Sequence, residues 1–511
     1  MIDVVLISPS NSSGTYQNLS QKYSAIEPPT WALLLAESVR SKGFSPVILD
    51  CLAEDLNDET VIHRLNKLNP RLIVFVVYGQ NVNSGSTNMA GAVRLNKFIK
   101  KSQINTLVGF IGSHVQAVPK LTLEKEKDID FVFLNEGVYS LLNVLKLKEI
   151  NIENLLKIKG LALNENGKIT FTGPEKFVSH DNMDNDLPGY AWDLLPYDKR
   201  PLDLYRSPLW HANYDQNFRS PYAALQTSIG CQFKCNFCMI NLINKDDESH
   251  HSISSDYNKM RHWSPDFIHK QFKSLIKLGI KTIRITDEMF LLNKKYYLPI
   301  IDNLISLNKN DDLLLWAYSR IDTVPNPEVL KKVRKAGIRW LCLGIESGSK
   351  KIRLEVSKGR FEDVKVEKIV KQVEDADINV LSNYIYGLPG DSYETIEETY
   401  KLSAELNTLG LNIYPAMALP GTPLYRDAIL NGIKVPTEYE EFSFHAYDTI
   451  PLPTKYLKAF EVLKLRDEKF NKYFEREKFL KRVFKKFGEN AVRNIKEMTK
   501  IKLKRKLIDQ S

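Results

Sequence analysis

Residues Tyr222-Ala-Ala-Leu-Gln-Thr-Ser228 run through Ile229 into Gly230-Cys-Gln-Phe-Lys-Cys-Asn-Phe-Cys238, an apolar strand pattern that ends in a loop carrying three cysteines. Thiolates that hold one iron-sulfur cube must converge from a short loop onto neighbouring corners, and Cys231-x3-Cys235-x2-Cys238 has that economy. Three thiolates leave one iron of a 4Fe-4S cluster open, and Phe237 between the last two is placed to cover it. Two alternatives stay open on these residues alone. One is a zinc site completed by His250 or His251, although zinc knuckles favour paired Cys-x2-Cys units; the other is a set of buried thiols without chemistry.

Outward from this loop, apolar runs at residues 282–286, 313–318, 340–345, 379–385 and 411–416 alternate with helical patterns such as 266–278 and 327–335. Six β/α units predict a partial (β/α)6 barrel over residues 221–430, with its site at the carboxyl ends of the strands. Toward the N-terminus the same alternation recurs. Strands at 3–8, 46–51, 72–78, 106–111 and 130–134 and helices at 30–42, 59–68 and 89–101 predict a doubly wound parallel α/β sheet over residues 1–150. Its carboxyl-end loops are 8–14, 79–86 and Gly112-Ser-His114, and their Gly, Ser and Asn suit either a nucleotide-like ligand or plain turns. Residues 151–220, with a hairpin pattern at 162–170 and a proline-rich passage from Pro188 to Pro221, read as a linker. Residues 431–511 read as a basic, amphipathic helical segment, with Leu457, Phe460, Leu463, Phe470, Tyr473, Phe474, Leu480, Phe484 and Phe487 at mostly helical spacing.

Composition narrows the class. The 511 residues, 43% hydrophobic and 26% charged, are those of an ordinary globular enzyme of more than one domain, without a membrane-length apolar run. The beginning, Met1-Ile-Asp-Val-Val-Leu-Ile7, reads as a strand and not as a signal peptide, and five cysteines are too few and too unevenly placed for a disulfide framework. A reducing, cytoplasmic setting is expected. The net charge of +9 is concentrated from Lys455 onward, which favours packing against the barrel mouth with a solvated basic face. Peripheral contact with a membrane or an anionic substrate is the alternative, and no nucleic-acid module is recognised.

The cysteine spacing after a strand, followed by these β/α units, resembles the radical S-adenosylmethionine (SAM) superfamily over residues 220–430. The resemblance implies that the open iron chelates the methionine end of SAM and that an external electron donor triggers its cleavage to a 5'-deoxyadenosyl radical. It implies that Asp287 and Glu288, in Thr286-Asp-Glu-Met-Phe290, contact the SAM amino group. Arg320, in Tyr318-Ser-Arg-Ile-Asp322, and Glu346, in Gly344-Ile-Glu-Ser-Gly348, would hold its carboxylate and ribose. Gly387, in Tyr386-Gly-Leu-Pro-Gly390, would let the backbone approach adenosine. Gly112-Ser-His114 and Asn135-Glu-Gly137 resemble loops of the cobalamin-binding domain fused to many such enzymes, making Gly112 and His114 further binding candidates. The loop Ser8-Pro-Ser-Asn-Ser-Ser-Gly14 lacks the histidine that methionine-synthase-like domains offer to cobalt. The implied activity is a cobalamin-dependent C-methyltransferase acting on a small-molecule, lipid or glycan substrate. Oxidative cyclisation or rearrangement, and a non-catalytic cobalamin or nucleotide sensor, remain the alternatives. Methylthiolation of tRNA is disfavoured, since there is no second cysteine triad.

Overall fold

Continuous runs of Val, Ile, Leu and Phe leave a strand no solvated face, so such strands are stable only inside a sheet covered on both sides. In the computed structural model, which describes residues 1–79, 82–165, 167–198, 204–356 and 364–510, this constraint is met twice. Gln80 and Asn81 of the 79–86 loop, Asn166 of the hairpin and residues 199–203 of the connecting stretch lie outside the described residues.

The first sheet contains β1 (Val4–Ser8), β2 (Pro46–Asp50), β3 (Leu72–Val76), β4 (Val108–Ile111), β5 (Phe131–Phe133), β6 (Leu161–Glu165) and β7 (Lys168–Phe171), in the order β2-β1-β3-β4-β5-β6-β7. The first five strands are parallel and β6 and β7 are antiparallel. The order reverses between β1 and β3, which opens a crevice at their carboxyl ends. Part of the stretch expected as a linker therefore belongs to this sheet: its hairpin pairs with β5 and covers an edge that would otherwise expose unpaired backbone groups.

The second sheet is the partial barrel. Strands β8 (Tyr222–Leu225), β11 (Thr282–Ile285), β12 (Leu314–Arg320), β13 (Ile338–Glu346), β14 (Asn379–Tyr386) and β15 (Gly410–Pro415) pair in parallel, in the order β15-β14-β13-β12-β11-β8. Between β8 and β11 lies a two-stranded antiparallel ribbon of β9 (Ser228–Gly230) and β10 (Met260–His262), which flanks the cysteine loop. Helices Pro265–Lys277, Lys294–Leu307, Pro327–Lys335, Val366–Asp375 and Tyr393–Leu406 cover the outer face. Several begin at side-chain caps, with Ser264, Asn326 and Ser392 each accepting a backbone N–H.

A buried ion pair joins the two sheets. Arg261 of β10 donates to Glu136, just past β5, at 2.7 Å, to the Val178 carbonyl at 2.6 Å and to Asn244 at 3.1 Å. Glu136 in turn accepts from Val178 N at 2.5 Å, and the two side chains are 3% and 0% exposed.

Apart from a 3-10 turn at Tyr439–Phe442, the C-terminal segment is irregular up to residue 458, and it then forms helices Ala459–Glu475, Glu477–Phe487 and Glu489–Lys500. Leu463, Tyr473 and Phe474 are buried, as their spacing predicts, whereas Phe484 is 58% exposed and the buried face is completed by Val462, Phe479, Val483 and Ile495. Much of the basic excess is used inside the fold. Arg476 donates to the Ala404 carbonyl and Arg482 to the Asn407 carbonyl, at the C-terminus of helix Tyr393–Leu406 where helix carbonyls lack partners. No described helix is long and apolar enough to cross a membrane.

Two outcomes follow from this packing. Replacing Arg261 with Ala leaves Glu136 charged and buried, which costs about 3–5 kcal/mol and lowers the unfolding midpoint in a denaturant titration. Asp50, at the end of β2, is buried with a hydrogen bond from the Tyr205 hydroxyl at 2.9 Å, and burial pushes its carboxyl up to about 7. The folded state then holds a proton that the unfolded chain releases near the ordinary carboxylate value. Its contribution to stability is present at acid pH and is lost as pH rises through about 7. Asp50→Asn accordingly shows a smaller loss of stability between pH 5 and pH 8 than the parent protein, read by thermal melts across that range.

Candidate active site

The cysteine loop is launched by a turn that only glycine fits well. Gly230 has φ +82°, and a Cβ there would stand 2.1 Å from the Lys259 carbonyl of the adjoining ribbon. Beyond it, Asn241 accepts from Cys231 N at 2.8 Å, and Cys238 N donates to the Cys235 carbonyl at 3.3 Å. Asn83, from the N-terminal domain, accepts from Met239 N at 3.0 Å, so the far end of the loop is held by the other sheet.

Cys231, Cys235 and Cys238 line one cavity at the carboxyl end of the barrel, together with Phe237, Glu288, Arg320 and Glu346. Burial pushes the thiols up, Cys231 to about 11 and Cys235 to about 12, with Cys238 well above the ordinary value. The charges of Cys231 and Cys235 raise Cys238 further, as expected of three thiols facing one space. Three sulfurs on one loop around an open cavity suit a cluster with a free corner. A zinc site would need a fourth ligand, and neither His250 nor His251 lines this cavity; the His250 ring stacks on Phe171 at 4.2 Å.

Phe237 packs against two small apolar clusters, one containing Leu388 and Ala416 and the other Leu424 and Leu452, and lines the cavity beside the thiols. Glu288 is half-buried, and its carboxyl is raised by desolvation and lowered by Arg284. Arg320 lies over the Phe233 ring at 3.8 Å and forks onto Asp322 at 2.8 and 2.9 Å. Glu346 follows a register shift in β13 and has φ +64°, a left-handed conformation that is rare outside glycine and concentrates at functional sites. Burial pushes its carboxyl up to about 7, Arg320 opposing and Glu288 adding to the shift.

Four of the residues singled out in the sequence are placed elsewhere. Asp287 accepts from Thr227 N at 2.6 Å, from the Thr227 hydroxyl at 2.7 Å and from the Ser228 hydroxyl, so its carboxylate ties β11 to the strand that launches the cysteine loop. Gly387 has φ +85°, and a Cβ there would meet Val462 at 2.5 Å; its glycine admits the C-terminal helix. His114 is buried, bonded through Nδ1 to the Ser86 hydroxyl at 2.9 Å and edge-on to Tyr439, and burial pushes it down to about 3. Gly112 sits where a Cβ would strike the Val77 carbonyl, so it serves the close approach of β3 and β4.

A second cavity fills the crevice between the carboxyl ends of the two sheets. Ser8, Asp50 and Tyr78 line it from the first sheet and Gln226, Thr286 and Glu288 from the barrel. Here Gln116 donates to the Tyr78 hydroxyl and to the Asn135 carbonyl, both at 2.7 Å, while its Oε1 is buried without a partner. The Gln226 Oε1 is in the same condition. Two buried acceptors facing one crevice await a polar ligand, since a buried acceptor left unpaired costs about 1–3 kcal/mol. Among the described residues no histidine lines this crevice.

A third cavity, of about 1010 Å³, fills the open side of the partial barrel and is closed by residues 15–27, 83–87 and the C-terminal segment. Glu27 and Arg284 cross it as an ion pair at 2.5 Å, with side chains 8% and 3% exposed. Asn83, Tyr318, Tyr414 and Phe444 line both this cavity and that of the cysteines. Ser84, Glu27 and Arg284 line both this cavity and the crevice.

Residues 225–403 match the model of the radical SAM superfamily. The matched stretch takes in the cysteine loop and barrel strands β11 to β14. Across 93% of the chain it is 26% identical to an uncharacterized methyltransferase of Pyrococcus horikoshii, covering 94% of that protein. Its fold is similar to that of the radical SAM methyltransferase TsrM from Kitasatospora setae, solved with cobalamin and a [4Fe-4S] cluster, with a TM-score of 0.61 at 15% identity over 87% of this chain and 85% of that one. The cobalamin-dependent radical enzyme OxsB, solved with aqua-cobalamin and SAM, gives a TM-score of 0.65 at 13% identity over 97% of this chain and 72% of that one.

Metal ligation by thiols requires their deprotonation. With all three raised by burial, iron loading of the metal-free protein releases protons and accelerates from pH 7 to pH 9, followed by the growth of visible absorbance under anaerobic reconstitution. Cys235→Ala retains little iron at any pH, measured by metal analysis after desalting.

Proposed function

We propose that this enzyme is a cobalamin-dependent radical SAM methyltransferase that methylates carbon in a small-molecule substrate. The observation that carries the reading is the meeting of three cavities: the cysteine cavity, the crevice between the sheets and the large cavity share lining residues around Asn83, Glu288 and Arg284. A methyl transfer by this route needs a cluster with SAM, a methyl carrier and an acceptor carbon within one enclosed space.

When bound, the cluster with SAM supplies one-electron cleavage to a carbon radical, and cobalamin supplies a transferable methyl group. The rest is the work of the chain. Cys231, Cys235 and Cys238 would ligate three irons. Glu288, Arg320 and Glu346 present opposite charges to the amino and carboxylate ends of an amino acid, and of these Glu346, with its carboxyl near 7, can also hold a proton. Asp287 fixes the angle between the cysteine loop and β11, and so the position of its neighbour Glu288 relative to the thiols. In the crevice, Gln116 and Gln226 offer free acceptors to the amide-rich rim of a corrin. Among the described residues that line the crevice, none is a histidine that would be available to ligate cobalt. Met239 N held by Asn83 links the cysteine loop to the N-terminal domain, and the aromatic residues of the adjoining cavity would exclude water from the site.

Reconstituted protein, supplied with SAM and a one-electron reductant, forms 5'-deoxyadenosine and retains cobalamin through gel filtration. S-adenosylhomocysteine accumulates as cobalt is remethylated. A protein that cleaves SAM but keeps no cobalamin overturns methyl transfer and supports cyclisation or rearrangement instead.

A further inference from the structure

The large cavity is walled by rings that lie deep in the molecule yet are only half-buried, so their free surface faces the cavity. Trp210, Tyr318, Tyr414, Phe444, Tyr16 and Phe470 are of this kind. Their contacts are specific: Trp210 meets the buried Trp316 edge-on at 4.9 Å and 75°, Trp316 meets Tyr318 edge-on at 5.2 Å and 67°, and Tyr414 meets Phe444 tilted at 5.2 Å and 54°. The Arg284 guanidinium stacks on the same wall, 4.7 Å from the Trp316 centroid.

The buried arginines inside are already paired. Arg284 is paired with Glu27, while Arg466 and Arg505 are bound to Asp467 and to the Ile413, Ala446 and Phe444 carbonyls. The buried part of a ligand therefore meets aromatic faces and a neutralised guanidinium, with the Asn412 amide as a further polar contact. At the mouth, Met498 and Ile501 present apolar surface.

We infer that the substrate of the proposed reaction is a flat, ring-bearing molecule, uncharged over the part that enters the cavity, which stacks among Trp210, Tyr318 and Tyr414. Offset and edge-to-face partners at 4.5–7 Å favour planar π systems over flexible chains of equal area. An aliphatic substrate would waste this geometry. A uniformly anionic one would find the buried guanidiniums already paired, with cations outside an ion pair only at the exposed rim lysines Lys464, Lys472 and Lys504 among the described lining residues. The inference rests on the cavity serving as the substrate compartment, and it names what that compartment selects.

The test uses the reconstituted full chain and N-phenyl-1-naphthylamine, a neutral fused-ring probe whose own fluorescence rises on leaving water. Saturable binding is expected, weakened at least tenfold by Met498→Trp and by Ile501→Trp, each checked for native folding by circular dichroism. The anionic analogue 1-anilinonaphthalene-8-sulfonate is expected to bind no tighter, and 1-dodecanol to displace the probe only weakly. Displacement by 1-dodecanol at the probe's own concentration range overturns the planar class, and tighter binding of the sulfonate overturns the uncharged one. Binding untouched in both folded variants removes the probe from this cavity and overturns the inference as a whole. SAM cleavage and cobalamin retention by the unaltered protein are separate readouts, so a failure of the probe leaves the proposed methyl transfer standing.

Discussion

Two parallel sheets can serve one reaction only if their carboxyl edges face each other, and the buried Arg261–Glu136 pair holds them in that relation. The pair is unusual in what it connects. Arg261 belongs to the ribbon beside the cysteine loop, Glu136 to the carboxyl end of the N-terminal sheet, and Val178 of the connecting stretch is bonded to both. A charge pair buried this deeply adds little net stability compared with apolar packing, but it tolerates few alternative geometries. Glu27–Arg284 repeats the device across the large cavity, and Asn83 to Met239 N repeats it with neutral groups.

The strands and the thiols were legible because they are written in local pattern. Apolar runs as short as Leu72–Val76 leave no choice but a buried parallel strand, and the cysteine spacing is contained within one loop. What could not be read is whatever depends on the relation between the sheets. Asn83 and Glu27 carry no signal in their own neighbourhoods and gain their places only when the domains pack. Alternation along the barrel strands did hold a clue. Trp316, Tyr318 and Arg320 fall on one face of β12, and all three face the interior at different depths.

The differences in placement have a common cause. Asp287 and Glu288 are adjacent in sequence, and adjacent residues at a strand end point to opposite sides. Only Glu288 reaches the cavity, while Asp287 finds three donors behind it. The glycine of Gly387-Leu-Pro-Gly390 and the histidine of Gly112-Ser-His114 stand where a ligand contact was expected, but the C-terminal segment reaches both first, through Val462 and through Tyr439. That segment is part of the enclosure as well as a cover. Its arginines end on backbone carbonyls of the barrel, which accounts for charge that the composition alone would assign to a solvated or membrane-facing surface.

The hydrogen bond from Met239 N to Asn83 also limits how such an enzyme can be recombined. The loop that presents the thiols takes its final support from a different domain, so neither half carries a complete template for its own site. A chimera that joins this barrel to a foreign N-terminal domain inherits the cysteines but loses the post on which their loop rests. The two segments around residues 82–88 and 231–240 form a single heritable unit, split in the chain by more than a hundred residues yet exchangeable only together.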